Sequence, residues 1–175
     1  MVLSAVPIGE YDKRVVILTR ERGKISAFAR GARKPGNALS GVINPFSFGE
    51  FTVYDGADII YTGVGLYFQL FCRVTRRYRG AYYGILFVEI ASYYCREAND
   101  EREMLKLLYQ TMRALINEKI PNRLIRYIYE LKAICINGEA PQVFQCVVCG
   151  DKERPGKFST LKGGKSMYPL HPGCL

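Results

Sequence analysis

Two short residue pairs near the end of the chain constrain it more than any other feature. Cys146-Val147-Val148-Cys149-Gly150 is a C-x-x-C run followed by glycine, and 21 residues separate Cys149 from His171-Pro172-Gly173-Cys174, an H-x-x-C pair. This spacing lets two knuckles turn four donors toward one tetrahedral ion, so the sequence predicts a Cys3His zinc site on Cys146, Cys149, His171 and Cys174. His171 is the only histidine of the chain, and it stands where a second-knuckle ligand belongs. Phe158-Ser159 and Gly163-Gly164 predict a short hairpin between the pairs. Four protein ligands leave no position for an activated water, so the site reads as structural, and a small metal hydrolase is disfavoured. A module this small would draw much of its folding energy from the metal. The alternatives are a redox pair, which would need a βαβ context that the sequence lacks, or two incidental thiols.

The first 79 residues follow a different rule. Val2–Ile8 is short and apolar, and Gly9-Glu10-Tyr11-Asp12 breaks it with turn chemistry. Residues 14–20 are rich in β-branched side chains and end at Glu21-Arg22-Gly23. Residues 24–31 alternate, with Ile25, Ala27 and Ala29 on one face and Lys24, Ser26, Phe28 and Arg30 on the other. Two more strands are expected at Phe46–Tyr54 and Ile59–Phe68, separated by Asp55-Gly56-Ala57-Asp58. Five strands at short spacing predict a small barrel, of the five-stranded oligonucleotide-binding (OB) type.

Charge sharpens this reading. The chain has 175 residues, with 25 Lys+Arg against 16 Asp+Glu, an excess that favours an anionic partner such as nucleic acid. Residues 1–79 carry 12 basic and 6 acidic side chains, residues 80–145 carry 8 of each, and residues 146–175 carry 5 and 2. In the first segment the cations fall on the second and third strands and the loop after them: Arg14, Arg20, Lys24, Arg30, Arg33 and Lys34. Phe28 shares the face of Lys24 and Arg30. Cations for phosphates beside a ring for base stacking suit single-strand binding. About six such contacts would give a log–log salt dependence with slope near −4 to −5. The alternative is that these charges are the solvated face of half-buried strands. Arg76 and Arg77, with Arg73 and Arg79 nearby, are either a further phosphate-facing patch or a solvated linker.

The middle is helical. Tyr83, Leu86, Phe87, Ile90, Ala91 and Tyr94 recur at three- and four-residue spacing. Asp100 and Glu103 predict a capping box opening a helix through Leu105, Leu108, Met112, Leu115 and Ile116. Pro121 suits the first position of a third helix, with an apolar stripe of Leu124, Ile128, Leu131 and Ile134-Cys135 ended by Asn137-Gly138. These stripes are expected to be core, and Cys72, Cys95 and Cys135 packed thiols. The fold class is therefore α+β, in three modules: an OB-type barrel over 1–79, a helical bundle over 80–145 and a zinc-ribbon-like module over 146–175.

Several function classes are disfavoured. Gly163-Gly164-Lys165-Ser166 has Ser159 where a phosphate loop needs glycine, and Gly63-Val64-Gly65 has Phe68 where a dinucleotide fingerprint needs its third. With the one imidazole assigned to zinc, none is left to activate a nucleophile, so no enzymatic activity is expected. The longest nearly apolar stretch, Ala81–Cys95, is too short and too polar to span a bilayer. No signal peptide is read at the start, so a cytoplasmic protein with reduced cysteines is expected.

Gly9-Glu10-Tyr11-Asp12, the run Leu18–Ile25, Ala29-Arg30-Gly31-Ala32-Arg33, Pro45-Phe46-Ser47 and Cys146-Val147-Val148-Cys149-Gly150 together resemble the bacterial RecO family over nearly the whole chain. The resemblance implies an N-terminal OB barrel, a helical domain and, in many members, a zinc module. It also implies a recombination mediator that binds single- and double-stranded DNA and anneals complementary strands. With the partner RecR, such a protein helps load RecA onto DNA coated by single-strand-binding protein. Where the family usually has cysteine, this chain has His171. The family normally begins several residues earlier and continues as helix beyond the zinc module, where the tail of single-strand-binding protein would dock; this sequence stops at Leu175. A zinc-ribbon adaptor for a protein partner, with incidental DNA affinity, is the alternative.

Overall fold

The computed structural model describes residues 1–54, 58–60, 78–117, 119–153 and 156–166. It is a mixed α+β chain that divides into two compact units, Met1–Ala133 and Ile134–Leu175. These differ from the three expected modules. The N-terminal sheet and the helices that follow share one core, so no unit boundary falls at 79/80.

The sheet begins with an antiparallel meander of β1 (Val2–Ile8), β2 (Asp12–Leu18) and β3 (Lys24–Ala29). Val15 faces Ala27 and Ile17 faces Ile25 across the β2–β3 pair. Val15, Ile17, Ala27 and Ala29 join Val2, Ala32 and Ile43 in a buried cluster. The alternation read from the sequence therefore holds: small and β-branched residues pack inward while Phe28 and Arg30 stay exposed. A single helical turn, α1 (Leu39–Val42), leads to β4 (Thr52–Tyr54) and β5 (Asp58–Ile60). β5 lies parallel to β3 through Phe28 and Asp58 and antiparallel to β4, giving the order β1-β2-β3-β5-β4.

Two expectations about this sheet need correction. The fourth strand covers only the last three residues of the expected Phe46–Tyr54, and Phe46 itself adopts φ 72° and is buried in the core. Among the described residues β1 and β4 do not pair, so the sheet is not a closed barrel there. Instead the Val2 amide donates to the Ser47 carbonyl at 2.8 Å, and the Phe46 amide to the Val2 carbonyl at 3.0 Å. The fifth strand starts one residue early, and residues 61–68 of the expectation lie outside the described residues.

Among the described residues three helices follow: α2 (Tyr78–Tyr94), α3 (Arg102–Ile116) and α4 (Asn122–Ile136). Phe87, Val88 and Ala91 of α2 bury against Met104, Leu108, Met112 and Leu115 of α3 and against Met1, Leu3 and Leu18 of the sheet. The expected capping box does not form. Glu101 is the N-cap residue, and the Asp100 carboxylate pairs with Arg102 instead. The buried Glu101 carboxylate accepts the Arg96 amide and the Asn99 side-chain amide, both at 2.9 Å, and so fixes the α2–α3 loop.

The expected core stripe of α4 is on the wrong face. Leu124, Ile128 and Leu131 are exposed, and Ile125, Tyr129 and Ala133 are buried. Both faces are apolar, so periodicity alone does not choose between them. Tyr129 decides it: its hydroxyl donates to the Phe87 carbonyl at 2.7 Å, and its ring lies 4.5 Å from the Phe87 ring. A buried phenol needs that partner. Cys135 is exposed rather than packed, Cys95 is fully buried, and Cys72 lies outside the described residues. Gly138, at φ 82°, ends α4 as expected, with the Glu139 amide returning to the Ile134 carbonyl at 2.9 Å.

In the second unit a hairpin of β6 (Lys157–Ser159) and β7 (Gly164–Ser166) occupies the region where the sequence predicts one. The Val147 amide donates to the Lys165 carbonyl at 2.8 Å, tying the C-x-x-C loop to the hairpin.

Candidate nucleic-acid interface

The interface is built from a turn and a loop that meet at one end of the sheet. Gly9, at φ 57°, allows the tight β1–β2 turn that the sequence suggested. The Asp12 carboxylate then accepts the Gly31 amide at 2.7 Å, and the Tyr11 carbonyl accepts the Arg33 amide at 2.8 Å. The Arg33 guanidinium returns to the Gly9 carbonyl at 3.2 Å, and the Lys34 ammonium sits 5.4 Å from the centre of the Tyr11 ring. These contacts clamp the loop after β3 onto the β1–β2 turn, leaving Arg33 and Lys34 exposed at the rim.

The same rim continues onto the outer face of the strands. Val6, Arg14 and Phe28 form one cross-strand row, and Val6 and Phe28 are both exposed. The Arg14 Nε donates to Ser26 Oγ of β3 at 3.1 Å. Arg30 follows Phe28 on the same face by strand alternation. The structure thus brings together Arg14, Phe28, Arg30, Arg33 and Lys34. It adds Tyr11, Val6 and Ile8, which the sequence reading passed over. Tyr11 lay inside a segment read only as turn chemistry; the available signal was an aromatic residue in a turn of a chain with an exposed basic loop.

Two of the expected residues do not join this group. Arg20 and Lys24 lie at the opposite end of β2 and β3, where Leu18 pairs with Lys24. That level is four residues from the Arg14–Phe28 row, about 13 Å along the strand. Arg20 pairs in solvent with Glu21 at 3.1 Å. Lys24 donates from Nζ to the Ser92 carbonyl at 2.6 Å, in the last turn of α2. A cation there satisfies an orphan carbonyl and complements the helix dipole. Lys24→Met is therefore expected to lower stability by about 1.5–3 kcal/mol, the worth of a hydrogen bond to a charged group. It should leave the salt dependence of DNA binding unchanged, as urea unfolding and a salt titration would reveal. Arg76 and Arg77 lie outside the described residues.

Local electrostatics keep the rim basic but not uniformly so. The Glu10 carboxylate beside Tyr11, with slight burial, holds its phenol above the ordinary value. Elsewhere in the unit the Cys95 thiol is pushed up to about 12, first by burial and then by the charge of Glu101. It is a packing residue rather than a reactive one.

The candidate metal ligands can be followed for one knuckle. The Val148 amide lies 3.5 Å from Cys146 Sγ, the Gly150 amide donates to the Cys146 carbonyl at 2.9 Å, and Gly150 has φ 76°. An amide aimed at the first sulfur and a glycine completing the turn suit a C-x-x-C loop that presents two thiolates to one ion. Cys146 is buried and Cys149 exposed. His171 and Cys174 lie outside the described residues, and among those described no group of three or more His, Cys, Asp or Glu side chains is placed to hold a metal. No helix among them is long and apolar enough to cross a membrane.

Comparison with known proteins matches nearly the whole chain, with a boundary between family models at residues 62–76 that does not coincide with the boundary between the two compact units. The family model described as Recombination protein O N terminal matches residues 1–62, and that described as Recombination protein O C terminal matches residues 76–175. The chain is 31% identical over 164 residues to the DNA repair protein RecO of Bacillus pumilus, covering 94% of this chain and 64% of that protein. It is 27% identical over 164 residues to the protein of the same name from Alkaliphilus metalliredigens, covering 93% of this chain and 67% of that one. To that of Listeria welshimeri it is 30% identical over 177 residues, covering 93% and 66%. The chain thus spans about two thirds of the length of these relatives.

Proposed function

The chain belongs to the RecO family, and on that premise we propose that it is a DNA-binding mediator of recombinational repair that catalyses no covalent step. The observation that carries this reading is the continuous rim from Arg14 and Phe28 to the clamped Tyr11, Arg33 and Lys34. Its cations can neutralise phosphates, and contacts to the backbone carry little sequence information. A surface of that kind lowers the repulsion between two strands without choosing between sequences, which is what annealing needs. Four cations now share the rim, so the expected salt slope on single strands is about −3, shallower than six contacts would give.

In this reading the N-terminal strands form an OB-type barrel. The parallel β3–β5 pair and the two bonds joining Val2 to Phe46 and Ser47 support it. RecR and single-strand-binding protein are the proposed partners, with loading of RecA as the outcome and the cytoplasm, at the nucleoid, as the place of action. The relatives carry the name DNA repair protein RecO, which favours this reading over a protein adaptor with incidental DNA affinity. A gel assay of complementary-strand annealing, with and without single-strand-binding protein on the DNA, tests it. Annealing that persists on coated strands and falls steeply with salt supports the proposal; no annealing on bare strands contradicts it.

Cys146, Cys149, His171 and Cys174 are proposed to hold one structural zinc ion. Bound there, the ion would cross-link the C-x-x-C loop to the residues that follow β7. The donor set and the Val148 amide directed at Cys146 Sγ fit such an ion. The purified protein should contain one zinc per chain, and chelation should raise hydrogen exchange in residues 134–175 while the N-terminal sheet stays protected. Stoichiometric absence of zinc after metal-replete expression would remove the site.

A further inference from the structure

We infer that Tyr11 is a second base-stacking platform, and that Tyr11 and Phe28 together make this rim selective for unpaired over paired strands. The inference rests on the DNA-binding reading of the same surface and extends it to the form of DNA preferred. Tyr11 performs two separable tasks. Its backbone carbonyl accepts the Arg33 amide and so belongs to the clamp. Its side chain takes no part in the buried clusters and remains 42% exposed, close to the 41% of Phe28.

The ring is oriented rather than loose. Lys34 approaches its face, with Nζ 5.4 Å from the centroid, and the Arg33–Gly9 bond fixes the turn beneath it. A base stacked on the ring would lie beside the ammonium of Lys34, so one nucleotide could meet a π face and a phosphate partner at the same place. Phe28 lies opposite Arg14 in the β2–β3 register, so a cation is also placed on the strand that faces this second ring.

Access to base faces supplies the selectivity. Tyr11 sits in the β1–β2 turn just ahead of β2, and Phe28 lies on β3 opposite Arg14, so the rim offers two separate platforms. In a duplex, bases remain stacked about 3.4 Å apart and offer only their edges, so neither ring can reach a base face without unstacking. A single strand can splay bases onto both rings. Duplex DNA can still use the cations, since those contact phosphates. The rings should thus strengthen single-strand binding alone.

The test compares a labelled oligothymidylate with a duplex of equal length, by fluorescence anisotropy at fixed salt, on the full chain. Tyr11→Leu keeps an apolar side chain and the backbone bond but removes the π face. It should weaken single-strand binding by about 5- to 150-fold, the range that corresponds to the worth of one stacked base, and change duplex affinity by less than about twofold. Tyr11→Phe should restore single-strand binding. A fluorescent base analogue in the oligonucleotide should be quenched on binding to the wild type and less so with Tyr11→Leu. Equal loss on both DNAs would mean that Tyr11 only positions Lys34, and no loss on either would mean that the ring is a bystander; each overturns the inference. The paired Arg33→Ala, Lys34→Ala variant separates the two levels: if it leaves both affinities intact, the DNA-binding reading of the rim itself fails.

Discussion

Gly23→Ala is expected to be among the most destabilising single-methyl changes in the N-terminal unit, costing about 3–5 kcal/mol and lowering Tm by roughly 10 °C. Gly23 ends the β2–β3 turn at φ 65°, where an L side chain alone costs about 1–2 kcal/mol. There is also no room for one. A Cβ at this position would lie 2.5 Å from the Arg96 carbonyl oxygen and 2.6 Å from that of Asn99, both of them backbone atoms. Relieving the clash must move the α2–α3 loop away from β3. That movement breaks the bonds from the Lys24 amide to the Arg96 carbonyl, 2.9 Å, and from the Ala98 amide to the Arg22 carbonyl, 3.1 Å. It also disturbs the buried Glu101 that anchors the loop. Gly9→Ala is the control: it shares the positive φ but meets nothing within 4 Å, so only the conformational cost of about 1–2 kcal/mol applies. Thermal and urea unfolding of the two variants measure the difference. If they cost the same, the close packing of the β2–β3 turn against the α2–α3 loop is not a determinant of stability.

The contrast between these glycines shows what kind of information the sequence carries. A glycine in a turn is legible as a local conformation, and both positions were read as turns. That one of them also touches a loop more than 70 positions later is a tertiary fact with no local signature. Lys24 follows the same logic. Alternation on β3 placed it on the outer face beside Phe28, but only the packing of α2 against the sheet reveals that its ammonium serves the Ser92 carbonyl. On α4 the failure has another cause. Leu124, Ile128 and Leu131 and the opposite row of Ile125, Tyr129 and Ala133 are both apolar, so the helical period has two solutions. The buried face is chosen by Tyr129, whose hydroxyl finds a carbonyl on α2. By contrast, the inward row of β3 was legible because Ile25, Ala27 and Ala29 alternate with Lys24, Ser26, Phe28 and Arg30. The hairpin and the glycine turn of the C-x-x-C loop were legible because their geometry is local. The candidate rim was half legible: the basic loop announced itself by composition, while Tyr11 joined it only through the contacts that fold the loop back on the turn.

Replacing Arg33 and Lys34 together by alanine is expected to weaken DNA binding by on the order of 10- to 100-fold, given the worth of hydrogen bonds to charged groups. The loss should be alike for all sequences, since phosphate contacts position a strand without reading it. Two of the four rim cations would then be gone, and the single-strand salt slope should fall in magnitude from about 3 to about 1.4. Folding should survive, because both side chains are exposed and the Arg33 amide still bonds the Tyr11 carbonyl in the variant. The side-chain bond from Arg33 to Gly9 would be lost, at a cost of about 0.5–1.5 kcal/mol in stability. Unfolding measurements can separate that small cost from the loss of affinity. Arg20→Ala provides the comparison within the same sheet. It removes one exposed positive charge about 13 Å or more from the Arg14–Phe28 row, where screening by salt is already strong. Its effect on both affinity and slope should therefore be small. Equal effects from the two substitutions would show that net charge, rather than the clamped rim, draws the DNA, and the localised interface would have to be abandoned.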